Sequence, residues 1–184
     1  KDKIVLIGPT AAGIGSIYDT LTHPSLPEFN ADLTPYPYDP ARASELLAEL
    51  GWADEDGDGT LEAYGVEGFE DGTPFVFELG APANPPLYGA VAQVVQQNLL
   101  QIGVQANVNL IDFGVFFSEY LSATSDYVAG VSGWFNLLFP PQGEFETGYE
   151  SSGPNTQYIH WSNAEVDELL LQARSTFDPS ERNP

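Results

Sequence analysis

Pro74-Phe-Val-Phe-Glu-Leu79, Pro86-Leu-Tyr-Gly-Ala-Val-Ala-Gln-Val-Val-Gln-Gln-Asn-Leu-Leu-Gln-Ile102 and Gly103-Val-Gln-Ala-Asn-Val-Asn-Leu110 follow one another along the chain. The first puts Phe75, Phe77 and Leu79 on one face, as a half-buried strand does. The second places Leu87, Val91, Val94, Val95, Leu99 and Ile102 along one side and Gln93, Gln97 and Gln101 along another, which predicts a helix. Gly103 supplies its C-cap. In the third, Val104, Ala106, Val108 and Leu110 alternate with Gln105, Asn107 and Asn109. That pattern predicts a strand with one wet face and an outer place in its sheet.

Working outward toward the C-terminus, Phe113, Phe116, Phe117, Tyr120 and Leu121 predict a second helix near residues 113–123. Asp126-Tyr-Val-Ala-Gly-Val-Ser-Gly-Trp134 is nearly all apolar and reads as a central strand buried on both faces. Strand, helix, strand, helix, strand is the pattern of an α/β sheet with right-handed crossovers. A last helix opens at a capping box, Ser162-Asn-Ala-Glu165, and runs to about Thr176. Toward the N-terminus, Asp39 is an N-cap, Pro40 takes the first helical position, and Gly51 ends a helix whose buried stripe is Leu46, Leu47 and Leu50. Residues 1–38 carry Pro9, Pro24, Pro27, Pro35 and Pro37 and read as an extended connector, leaving residues 39–184 as an α/β lobe.

Five Lys and Arg face 27 Asp and Glu, a net charge of −22. Such a surface repels nucleic acid and anionic lipid, so neither is expected as a partner. Molar salt screens that self-repulsion to within about 3 Å, and with Lys confined to Lys1 and Lys3 the composition points to a halophile. No cysteine is present, which excludes disulfides and thiolate metal sites. There is no Met, and the chain stops at Ser180-Glu-Arg-Asn-Pro184 just after a helix; it is expected to be a piece of a longer protein.

Two constellations bear on function. Trp134, Phe135 and Asn136 leave the carboxyl end of the expected buried strand, where ligands sit in open α/β sheets. An aromatic platform beside an amide suits an organic solute, with Phe135 turned opposite Trp134 so that at most one of them lines a cleft. The bland alternative is that Trp134 packs in the core and Asn136 caps a turn. Asn84, before the long helix, offers an amide beside a helix N-terminus, or else simply caps that helix. The second constellation is Asp54, Asp56 and Asp58 followed by Gly59, which begins like an EF-hand calcium loop. Position 12 of such a loop is Gly65 instead of Glu, and Glu62 at position 9 stands as its substitute; the alternative is an acidic, solvated turn.

Catalytic signals are missing. His23 and His160 lie far apart without metal-ligand spacing, no G-x-S-x-G elbow occurs, and Gly13-Ile-Gly15 lacks the lysine and the strand-helix setting of a phosphate loop. The chain is expected not to be an enzyme.

Several segments in order resemble the extracellular solute-binding proteins of the dipeptide, oligopeptide and nickel ABC importers (family 5). Tyr38-Asp-Pro-Ala-Arg-Ala-Ser-Glu-Leu-Leu-Ala-Glu-Leu-Gly-Trp52 resembles that family's "YDP-x-x-A-x-x-LL-x-x-x-GW" helix, and Asp54-Glu-Asp-Gly-Asp-Gly59 its acidic turn. Ala92-Gln-Val-Val-Gln-Gln-Asn-Leu-Leu-Gln-Ile-Gly-Val104 resembles its "A-x-x-IQ-x-x-L-x-x-IG-I" segment. Gly133-Trp134 and the run from Asn155 to Asp167-Glu-Leu-Leu-Leu-Gln-Ala173 complete the set. The resemblance implies that residues 39–184 are most of the C-terminal lobe, a periplasmic-binding-protein-like α/β lobe with a mixed sheet flanked by helices, incomplete at its C-terminus and joined by residues 1–38 to an N-terminal lobe before it; the two lobes close on a solute and deliver it to a membrane permease outside the cytoplasm. By the same resemblance, peptide binders carry a carboxylate three residues after the Trp and, in the oligopeptide type, an Arg three before it. Here Leu137 and Val131 stand at those places, which turns the expectation toward a neutral or hydroxylated solute such as an oligosaccharide. A rival from another class is a secreted module held together by calcium at the acidic loop.

Overall fold

The computed structural model describes residues 29–34, 37–119, 128–132, 151 and 162–175. They fall into two units: the first holds 33–34, 37–116 and 128–132, the second 29–32, 117–119, 151 and 162–175.

The first unit opens with α1 (Pro40–Glu49), where the Asp39 carboxylate accepts the Arg42 amide at 2.9 Å and Pro40 stands in the first turn. The helix stops where Gly51 turns to φ 97°. A Cβ there would run into the Tyr64 carbonyl oxygen, so only glycine serves. The expected leucine stripe is not what α1 buries: Ala43 is inside, while Leu46 and Leu50 are 40% and 64% exposed. The small Ala43 lines the narrow seam with Asn98 and Leu99.

Two short strands follow, β1 (Trp52–Ala53) and β2 (Glu62–Ala63), paired antiparallel with Trp52 opposite Ala63 and Ala53 opposite Glu62. Trp52 is buried, stacked on Phe75 at 4.2 Å between ring centroids and met edge-on by Phe69 at 5.3 Å. The hairpin hands the chain to β3 (Val76–Pro82), then α2 (Pro86–Leu100), β4 (Gln105–Ile111), α3 (Phe113–Glu119) and β5 (Ala129–Gly130).

The three longer-range strands form a parallel sheet in the order β4-β3-β5. Because β4 and β5 flank β3 on opposite sides, the two crossovers run in opposite directions. Right-handed connections of that kind put α2 on one face and α3 on the other. The expected outer place of β4 holds: Val104 and Ala106 are buried, Gln105, Asn107 and Asn109 exposed. The central place does not go to the segment around residues 126–134. Among the described residues only Ala129–Gly130 of it is strand, joined to β3 alone, and Val131 N–H donates to the Gly80 carbonyl at 2.8 Å. The middle strand is β3, whose second half, Leu79-Gly-Ala-Pro82, is buried throughout. Its small residues are what allow neighbours to approach from both faces. Phe116 of α3, fully buried, lies so close over Gly130 that a Cβ there would sit 3.2 Å from its ring.

The buried face of α2 is turned from the expected one. Tyr88, Gly89 and Ala92 are buried with Val95 and Leu99 packed beside them, whereas Leu87 is 44% exposed. A helix laid across two strands puts its smallest residues at the closest approach, and Gly89 meets Leu110 there. Gln96 Nε2 donates to the Ala106 carbonyl at 2.6 Å.

In the second unit α4 (Ala164–Ser175) is capped one residue later than the capping box implied. Asn163 Oδ1 accepts the amides of Glu165 and Val166 at 3.0 and 3.3 Å, and Asp167 takes the Ser151 amide at 2.7 Å. The Asn amide oxygen reaches the same free amides that Ser162 was expected to serve.

Candidate functional site

The parallel sheet directs all three carboxyl ends to one rim: Ala83-Asn84-Pro85 after β3, Asp112 after β4, and Val131-Ser132 after β5. The connection leaving β3 runs outward to β4, and the one leaving β4 runs back past β3 to β5, so the rim is a topological switch point, the place where open α/β sheets take ligands. The Ala83 amide donates to the Ile111 carbonyl at 2.7 Å and ties two sides of the rim together.

Asn84 is exposed and precedes a cis peptide bond to Pro85. The residue at the cap of α2 is Pro85, with no side-chain hydrogen bond to the first turn. Capping is therefore not the role Asn84 plays, and its amide faces solvent at the rim. Asp112 joins the rim without having been expected there. Its Oδ1 accepts the Gly114 and Val115 amides at 2.8 and 3.3 Å, starting α3 beside Asn84's strand end. An Asp immediately before an apolar run is the helix-start signal that could have found it. Val131, where the resemblance places an Arg, is half-buried and packs against the cluster of Leu79, Ala81, Tyr88, Ala92 and Ala106. That position contributes to the core instead of presenting charge.

Trp134, Phe135 and Asn136 follow Ser132 in the chain and lie outside the described residues, as do Leu137, His23, His160 and Gly13-Ile-Gly15. A seam between α1 and α2, lined by Tyr38, Asp39, Pro40, Ala43, Asn98 and Leu99, encloses about 130 Å³. Solute pockets run to about 300–1,000 Å³, and Tyr38 Oη donates across this one to Asn98 at 2.9 Å, so it is a packing seam.

At the other end of the sheet, carboxylate oxygens of Asp54, Asp56, Asp58 and Glu62 lie within 4.8 Å of one another. Asp54 accepts the amides of Gly57 and Gly59 at 2.7 and 3.0 Å, Asp56 that of Asp58 at 3.0 Å, and Asp58 that of Thr60 at 2.7 Å. Gly57 and Gly59 both take positive φ, which lets the loop fold back on its own acids. Desolvation, followed by the charges of Glu55, Glu62, Asp56 and Asp71, raises the pKa of the nearby Tyr64 above its ordinary value.

Residues 10–156 match the model of the bacterial extracellular solute-binding proteins, family 5, middle region. This chain belongs to that family. The family 5 chain is 30% identical over 148 residues to the oligopeptide-binding protein AppA of Bacillus subtilis, covering 80% of this chain and 26% of that protein. It is 27% identical over 186 residues to the dipeptide-binding protein of Escherichia coli, covering 99% of this chain and 31% of that one. The solved structure of B. subtilis AppA in complex with a nonapeptide superposes with a TM-score of 0.76 at 27% identity, over 95% of this chain and 34% of that one. NikZ of Campylobacter jejuni with Ni(L-His) superposes at 0.63 and 28% identity, over 84% of this chain and 30% of that one. The family 5 chain thus spans about a third or less of the length of these relatives, and the α/β architecture expected from its sequence is the one they share.

Proposed function

We propose that this chain is part of the substrate-binding component of an ABC importer, working outside the cytoplasm and handing a captured solute to a membrane permease. The observation that carries the reading is the switch-point rim, with Asn84's amide unspent on capping, in a chain of a solute-binding family. Capture proceeds by closure of two lobes on the solute, one of them supplying this rim, with Trp134 for stacking area, Asn136 for a hydrogen bond, and Phe135 as the alternative platform. The AppA and Escherichia coli relatives are binding proteins by name, which supports transport over enzymatic turnover and over a free-standing calcium-held module.

The solute class follows from charge. Val131 is absorbed into the core, and no cationic side chain stands at the rim among the described residues. A neutral, hydroxylated oligomer that stacks on an aromatic ring and hydrogen-bonds to amides fits better than a zwitterionic peptide. The acidity of the surface suits a halophile, where salt screens it.

The test is a thermal-shift panel on the full-length protein in molar salt, with neutral oligosaccharides, short peptides and Ni(II)–histidine. At a hundredfold excess over Kd the true cargo class raises Tm of a protein of the relatives' length by about 2 °C, and oligosaccharides are expected to do so. A response to peptides alone overturns the solute class and leaves transport standing; no response to any class overturns the transport reading.

A further inference from the structure

We propose that the outer edge of β4 is the seam of a two-fold dimer, in which the strand pairs antiparallel with β4 of a second copy of the protein. β4 ends the sheet order β4-β3-β5, so among the described residues only one of its edges is taken. Its register with β3 runs unbroken from Gln105 opposite Val76 to Ile111 opposite Pro82. The Gln105 amide donates to the Phe75 carbonyl at 3.0 Å, and the Ile111 carbonyl accepts the Ala83 amide at 2.7 Å. Backbone groups of a strand alternate in direction, so the amides and carbonyls of Ala106, Val108 and Leu110 point away from β3. Among the described residues only the Ala106 carbonyl is met there, by Gln96 Nε2 at 2.6 Å. Free edges are usually blunted by a charge, a proline or a bulge. The seven residues of β4 contain none of these.

Charge says what can sit on this edge. The protein carries a net charge of −22, yet no Asp, Glu, Lys or Arg occurs between Glu78 and Asp112. That interval holds both β4 and α2. α2 straddles β3 and β4, its Ala92 clustered with Leu79, Ala81 and Ala106. On the β4 side it carries Gly89 against Leu110, Gln96 on Ala106, and the exposed Gln93 and Leu100. A basic partner finds no carboxylate to grip on this strip. A second copy is repelled by the acidic surfaces but meets no charge here.

The edge is also self-complementary, as a two-fold contact must be. With the axis at Val108, Ala106 faces Leu110 of the second copy and Val108 faces its own counterpart, so outward amides meet outward carbonyls. On the face away from α2, the exposed Asn107 comes opposite the equally exposed Asn109 of the second copy, and carboxamides hydrogen-bond to one another. On the α2 face, Leu110, 50% exposed, covers the small Ala106 across the seam. Strands about 4.8 Å apart would set the two α2 helices about 10 Å apart, the spacing of packed helices. Glu78, beside Asn107 in β3, stays more than about 14 Å from its counterpart, beyond the reach of unscreened charge in molar salt. A strip about 22 Å long is small for an interface, which makes the dimer concentration-dependent.

The experiment is sedimentation equilibrium of the full-length protein in molar KCl. Monomers should pass to dimers as concentration rises. Association should strengthen as KCl goes from about 0.2 M to about 2 M, because salt removes only the repulsion between acidic copies. Asn107→Asp/Asn109→Asp sets carboxylates opposite carboxylates and should weaken the dimer about tenfold, with the circular dichroism unchanged. Asn107→Cys and Asn109→Cys proteins, mildly oxidised, should cross-link faster when mixed than either does alone, since the register puts those Cα atoms about 4.5 Å apart. If the double Asp variant does not fold, this cysteine pair decides. A protein that stays monomeric at every concentration and salt, as it would with the edge covered by the rest of its own chain, overturns the seam. So does association that salt weakens, growth beyond a dimer, or cross-linking that mixing does not favour.

Discussion

The two ends of the three-stranded sheet are built on different plans. At the amino end, one hairpin of neighbouring residues organises itself: loop amides satisfy loop carboxylates, and Trp52, Phe69 and Phe75 form a cluster within a short stretch of chain. At the carboxyl end, the rim is assembled from three segments, with Asn84, Asp112 and Ser132 brought together only because β3, β4 and β5 lie side by side. The amino end is held by contacts local in sequence, the carboxyl end by contacts between segments far apart in the chain.

The contrast breaks most visibly at Phe116. Truncation of this fully buried ring, Phe116→Ala, should cost about 3–5 kcal/mol, read as a lowered urea midpoint. A loss under about 1 kcal/mol would mean that α3 does not seal the carboxyl end over Gly130. Next comes a matched pair of glycines at the amino end. In Gly51→Ala the new methyl meets the Tyr64 carbonyl as well as an unfavourable φ, for a loss of about 3 kcal/mol, whereas Gly57→Ala has open space and loses about 1 kcal/mol. Equal effects would show that φ, not the close approach, governs the end of α1. Asp39→Ala removes the cap of α1 and should cost about 1 kcal/mol by the same measurement. Smallest in stability is Asn84→Ala, expected to lie within about 0.5 kcal/mol of the parent while weakening solute binding by the full-length protein about tenfold. A large stability loss with unchanged affinity would make Asn84 structural and dissolve the distinction between the two ends.

Local features are legible in the order of residues alone. The Asp39-Pro40 start and Gly51 stop of α1, the helix between β3 and β4, and the exposed face of β4 all depend on capping and periodicity within a few residues. The acidic loop is legible for the same reason. Which face each helix buries is not. The leucines of α1 outrank Ala43 in hydrophobicity, and Leu87 outranks Gly89 in α2, yet the small residues are the ones inside. Hydrophobicity ranks residues one at a time, whereas close packing selects the side chain that lets two backbones approach. Asp112 is legible only as the start of a helix; its place at the rim depends on which strand neighbours which.

Sequence by itself determined the types of the longer helices and strands, the family, and the absence of charge at Val131, since these rest on local conformational preference and on residue identity, whereas the short pairing of β1 with β2 was not legible in it. Only the tertiary structure decided that β3 is the middle strand, that Val131 belongs to the core, that Asn84's amide is unspent on capping, and that Glu62 is buried beside three other acids. Each of those depends on contacts between segments far apart in the chain, and their free energy exists only once the chain has closed on itself.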